Sequence, residues 1–207
     1  MSARRWLSAG TLELAPVADL ALARATIERY RPRDGDQGKA REFVLAWIDA
    51  HPDALLRSCL EGHLTSSALV LHSAGERALL TLHTKLGRWL QLGGHCDGDA
   101  NLAGSALREA REESGIDGLT IDPELLDLDC HRIPARAGEP EHWHLDARFV
   151  VQAPAGAVAR ASAESKELRW FRPAELAKIA SDDSVRRLFL LAFGRFDAGS
   201  GTHVRER

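Results

Sequence analysis

Glu109, Glu112 and Glu113, in the stretch REAREES from Arg108 to Ser114, place three carboxylates within about one helical turn. At 100° per residue they share an arc of about 100°, and like charges three and four positions apart repel. Arg108 and Arg111 offset part of that repulsion. The remainder suggests a cation that the chain does not encode. A hard divalent ion such as Mg²⁺ suits the set, because it takes oxygen ligands, keeps several waters and leaves positions for phosphate oxygens. It would neutralise a pyrophosphate and acidify a bound water. A solvated charged face is the plain alternative, since Glu-rich helices are common.

The frame around the cluster has its own pattern. A short strand, RWLQL (88–92), runs into Gly93 and Gly94, which permit a tight turn and a close backbone approach. A polar loop, HCDGDAN, leads to a helix predicted over 102–114, and Gly115 follows as a left-handed cap. Taken whole, GHCDGDANLAGSALREAREESGI, Gly94 to Ile116, resembles the Nudix box: glycine, five residues, glutamate, seven residues, then Arg-Glu-aliphatic-any-Glu-Glu-any-Gly-aliphatic. Arg108, Glu109, Ala110, Glu112, Glu113, Gly115 and Ile116 fall at matching places, and Gly94 stands at the right distance. A motif this long and gapped is far more specific than a lone glycine pattern. One position departs: Ala100 occupies the place of the first box glutamate, with Asp97 and Asp99 close enough to replace it.

The resemblance implies hydrolysis of the diphosphate linkage of a nucleoside diphosphate derivative. By position, Glu109, Glu112 and Glu113 would bind Mg²⁺ or Mn²⁺ with a backbone carbonyl at Gly94 or its neighbour. Arg108 would orient a glutamate, and Gly94, Arg108 and Gly115 would be structural parts of the motif. Glu164, in the loop before KELRWF, sits where an acidic residue often completes such a site as base or extra ligand. The alternative function, motivated by Ala100, is a nucleotide-binding or regulatory module of the same fold with little turnover.

Other residues could contact the substrate. The strand WHLDARFVVQ (143–152) puts Trp143, Leu145, Ala147, Phe149 and Val151 on one face, and His142, His144, Asp146 and Arg148 on the other. That polar face could line a cleft, bind a transition metal, or be internally hydrogen-bonded. His131 could approach it. His95, next to the glycine pair, and Arg88 are further substrate-binding candidates, through hydrogen bonds or as a phosphate clamp. Lys85 reads as a surface charge.

The elements that must position these residues follow from periodicity. Helical stripes run over 16–30 (Leu20, Ala23, Ile27, Tyr30) and about 39–50 (Phe43, Val44, Trp47, Ile48), with RPRDGDQG as a break between them and a short helix after Asp53. Strands are predicted at 63–71, 77–83, 119–130 and 166–171, with a helix opened by Pro173 and a last helix from Asp182 or Asp183. The expected fold is α+β: a Nudix-like α/β/α sandwich with a mixed sheet over 62–195. Residues 1–61 are expected as a helical extension packed on that core, and 196–207 as a flexible tail. The extension would cover the cleft or form a homodimer contact.

Hydrophobic content of 44% and charged content of 28% fit an ordinary globular chain, and a net charge of -3 gives no general case for nucleic-acid binding. A capped or 5′-phosphorylated RNA end stays among the substrates that a diphosphate site would accept. Cys59, Cys96 and Cys130 are odd in number and widely spaced, which forms neither a zinc pair nor a disulfide framework and points to a reducing cytoplasm. No apolar run reads as a signal peptide or a membrane span, so no membrane partner is expected.

Overall fold

The computed structural model describes residues 5–136, 138–161, 165–179 and 181–197. At its centre β2 (Gly62–Leu71) and β7 (His142–Gln152) pair in parallel, from Gly62 opposite Trp143 to Leu71 opposite Gln152. β2 is buried along its whole length, as expected of a strand covered on both faces. β6 (Thr120–Ile133) runs antiparallel to β7, and β1 (Leu7–Ser8) adds a short edge to β6. On the other side β3 (Ala78–His83) continues from β2 to β4 (Trp89–Leu90) and also pairs with β8 (Ser165–Phe171). β5 (Leu92–His95) pairs with the middle of β2, placing His95 opposite Thr65 and Gly93 opposite Ser67.

Helices cover both faces. On one lie α3 (Leu102–Ser114), α1 (Leu20–Arg29) and α2 (Gly35–Ala50). Their Leu107, Ala110, Ile27 and Val44 share one core with Leu145, Ala147, Phe149 and Val151. On the other, α4 (Asp183–Asp197) brings Val185, Leu188 and Phe189 against Leu69, Leu71 and Val150. The mixed sheet between two helical layers is the fold class expected, and the inward face of β7 is the one that alternation assigns.

Several local expectations change. α2 starts at Gly35, four residues before the apolar stripe, because the Asp34 carboxylate accepts from Gln37 N at 2.8 Å and caps it. Capping outweighs the low helix propensity of Gly35 and Gly38. After Asp53 there is no helix but a run of turns, with Ala54 and Leu55 buried under it. The strand predicted over 88–92 is two short ones, and the segment from Pro173 is a 3₁₀ turn ending at Lys178. The first sixty residues also contribute a strand, β1.

Candidate functional site

α3 forms where its sequence places it. Asn101 accepts from Gly104 N at 3.1 Å to begin the helix, and Gly115, at φ 62°, ends it. Leu107, Ala106 and Ala110 face the core, so the glutamates are left at the other side of the helix, toward the β5 glycines. The Glu109 side chain is enclosed, 13% exposed, against 61% for Glu112. Burial raises the pKa of its carboxyl, and the adjacent Arg108 guanidinium only partly counters that. Arg108 donates to Glu109 Oε1 at 2.5 Å, to Glu112 Oε2 at 3.5 Å and to the His95 carbonyl at 2.9 Å. These bonds link Glu109 and Glu112 to the β5 backbone at His95.

A side chain at either glycine would meet a neighbour, a different one in each case. A Cβ on Gly94 would stand 2.4 Å from Glu109 Oε2, so the carboxylate occupies the space that any side chain there would need. A Cβ on Gly93 would lie 2.2 Å from Ser67 Cβ and 2.8 Å from the Ser66 carbonyl, while Gly93 N donates to Glu113 Oε2 at 3.1 Å. Two of the glutamates are thus drawn to the glycine pair within β5, a strand where the sequence suggested a tight turn.

Ala100 is fully buried, and its N donates to the Val17 carbonyl at 2.6 Å. Asp99 accepts from Val17 N at 3.0 Å and Asn101 N at 2.8 Å, while Asn101 Nδ2 donates to the carbonyls of Glu13 and Ala15. The N-terminal segment therefore clasps the loop where a longer residue at 100 would need room. Asp97 is paired with Arg57 Nε and Nη2 at 2.8 and 2.9 Å. Arg108 and Arg111 line a cleft of about 370 Å³ beside this clasp, with Leu14, Pro16 and Asp97.

The polar face of β7 is less open than alternation suggests. Asp146, expected to face substrate, is buried and accepts from Thr65 at 3.1 Å, Ser67 at 2.8 Å, Gln91 at 3.3 Å and Arg148 Nε at 2.8 Å. Its oxygens are used within the fold, which corrects that expectation. Arg148 also pairs with Asp129 at 2.9 Å and Asp127 at 3.6 Å, and Arg187 of α4 reaches both aspartates. Burial opposes the charge on Asp129, but the hydrogen bond from His131 and the two guanidiniums hold its carboxyl well below the usual carboxylate range. For Asp127 burial wins, and its pKa is raised.

His142 and His144 lie at the start of the same strand and meet two other imidazoles. The His63 ring is 5.0 Å from that of His95 and 5.1 Å from those of His142 and His144. His131 does approach, 5.7 Å from His144. Burial lowers the pKa of His63, His95 and His144, to about 4 for His95 and about 2 for His144, where the neighbouring imidazoles add to the effect. These rings are neutral at pH 7 and bind by nitrogen lone pair or N–H rather than by charge. Arg88 and Lys85 are exposed on the turn between β3 and β4. Glu164 lies outside the described residues.

The residues that sequence reasoning missed are His63, Asp127, Asp129 and Arg187. Asp127 and Asp129 alternate in LLDLDC as His142, His144 and Asp146 do in β7, so the signal was two polar stripes of period two; their adjacency depends on pairing.

A family model for the NUDIX domain matches residues 62–193. Among solved structures, a NUDIX-family hydrolase from Clostridium perfringens is 23% identical with a TM-score of 0.50, covering 65% of this chain and 97% of its own. An Ap4A hydrolase from C. elegans is 20% identical with a TM-score of 0.51, covering 66% and 98%. The NUDIX domain of Shewanella oneidensis NrtR, solved with ADP ribose, is 18% identical with a TM-score of 0.50, covering 64% and 87%. No curated protein matches the chain.

Proposed function

The chain belongs to the NUDIX family, and from that premise we propose that it is a pyrophosphohydrolase cleaving the diphosphate linkage of a nucleoside diphosphate derivative with Mg²⁺ or Mn²⁺. The observation that carries the reading is Glu109, an enclosed carboxylate packed against Gly94 with Glu113 drawn to Gly93 beside it. An all-oxygen donor set, one member of it short of solvent, fits a hard divalent cation.

Glu109, Glu112, Glu113 and the Gly94 carbonyl would hold the ion. Bound there, it would neutralise diphosphate oxygens and lower the pKa of a water. The chain's own part is positional. Arg108 fixes Glu109 and Glu112 relative to the His95 carbonyl, and Gly93 N–H fixes Glu113. Glu164, just before β8 in sequence, is the proposed partner for the proton of the attacking water. Arg88 and Arg111 are available to phosphates, being exposed.

Two similar folds point to substrates worth testing, since one is an Ap4A hydrolase and the other holds ADP ribose. Purified protein with Mg²⁺ or Mn²⁺ should cleave at least one member of a panel of dinucleoside polyphosphates, ADP-ribose-type compounds, sugar nucleotides, coenzyme A derivatives and capped RNA. Glu112→Gln or Glu113→Gln should lower that turnover at least about 100-fold. No release above those variants across the panel would contradict the proposal. A second reading, a nucleotide-binding module with little turnover, draws on the Arg108 guanidinium occupying Glu109 and Glu112. Metal-independent nucleotide binding without cleavage would favour it.

A further inference from the structure

We propose that His63, His95 and His144 form a second, nitrogen-donor site for a borderline transition ion, Zn²⁺ first, independent of the carboxylates of α3. One ring nitrogen from each of the three lies within 4.8 Å of the others. They come from three strands whose pairing fixes them side by side: His63 lies opposite His144 across β2 and β7, and β5 brings His95 opposite Thr65.

The hydrogen bonds around the cluster set the tautomers. His63 Nδ1 is 3.3 Å from the Cys59 carbonyl, which only accepts, so Nδ1 carries the proton and Nε2 is bare. That Nε2 is buried and has no hydrogen-bond partner, an uncommon state for a buried polar atom. His142 Nδ1 likewise donates to the Pro140 carbonyl at 2.9 Å, so its Nε2 accepts at 3.2 Å from His144 Nε2. His144 is thereby left with one bare nitrogen. Outer hydrogen bonds of this kind, from the far ring N–H to a carbonyl or another acceptor, orient metal-bound imidazoles.

The donor chemistry separates this site from its neighbour. Imidazole suits Zn²⁺, Cu²⁺ or Ni²⁺, whereas Mg²⁺ takes oxygen. Bonds of about 2.0–2.1 Å would draw the three nitrogens to roughly 3.4 Å apart, a contraction of up to about 1.4 Å. Three protein ligands leave a fourth position for water or a ligand oxygen. His95 follows Gly94 directly, so the two sites would stand next to each other in the chain.

Demetallated protein titrated with Co²⁺ tests this by absorption, with Zn²⁺ per chain measured by elemental analysis after reloading. The expected result is one ion per chain, with the intense visible bands of a four- or five-coordinate nitrogen site. Those bands should persist in Glu112→Gln, and His63→Gln, His95→Gln and His144→Gln should each weaken binding at least about tenfold. Circular dichroism identifies any variant that fails to fold; the other histidine variants and the wild-type spectrum then decide. Absence of the bands in wild type, or their loss in Glu112→Gln with retention in folded histidine variants, would overturn the proposal. Activity is not the readout, so a failed pyrophosphohydrolase assay leaves this outcome independent.

Discussion

At the scale of single residues, the two β5 glycines differ in what an added methyl would displace. Gly94→Ala should swing the Glu109 carboxylate away, since the added methyl meets the mobile end of that side chain. Turnover should fall by about tenfold or more while the melting temperature changes little, measured by kinetics beside calorimetry. Gly93→Ala meets Ser67 and the Ser66 backbone instead, so it should lower stability itself, by about 1–3 kcal/mol. Arg148→Leu makes a sharper demand. It leaves Asp127, Asp129 and Asp146 facing one another, with Arg187 still reaching the first two and His131 still bonded to Asp129. Denaturant unfolding should show a loss of about 3–5 kcal/mol, the cost of breaking a buried ion pair from one side.

At the scale of elements, α3 and the strand faces were legible from periodicity, because a single helix carries its own spacing and β7 its own alternation. The helix over 102–114 is the one observed. What was not legible is what pairing and packing decide. Nothing local in HLTSS marks His63 as the neighbour of His144; the β2–β7 register does. Nothing local in LAPV shows that the segment will clasp the loop around Ala100. The Asp146 carboxylate looked free because Thr65, Ser67 and Gln91 come from other strands or loops. The N-terminal helices are attached in the same nonlocal way. Gln37 of α2 is buried, accepts from Tyr30 OH at 2.5 Å, and both accepts from Leu128 N and donates to the Leu128 carbonyl. Gln37→Leu should therefore cost about 1–3 kcal/mol in thermal or chemical unfolding, the price of stranding buried backbone groups. A change under a few tenths would mean that α2 does not grip β6.

At the scale of the whole molecule, two core layers sandwich a mixed sheet, and the charged groups sit where the strands meet. Two histidines link that arrangement to pH. The hydrogen bond to Glu61 raises the pKa of His51, and at His131 the bond to Asp129 outweighs burial and raises it too. A raised base binds its proton more tightly in the fold than in the unfolded chain. This stabilisation is complete below about pH 6.5 and is lost as pH rises through the folded pKa values. With chelator present, the melting-temperature advantage of the wild type over the double variant His51→Asn with His131→Asn should shrink between pH 6.5 and 8.5. Among the described residues no helix is long and apolar enough to cross a membrane. The most direct test of the central claim is anomalous scattering from a crystal grown with Mn²⁺. The account predicts a peak within about 2.5 Å of oxygens from Glu109, Glu112, Glu113 and the Gly94 carbonyl; a map with those oxygens facing solvent and no peak among them would contradict it.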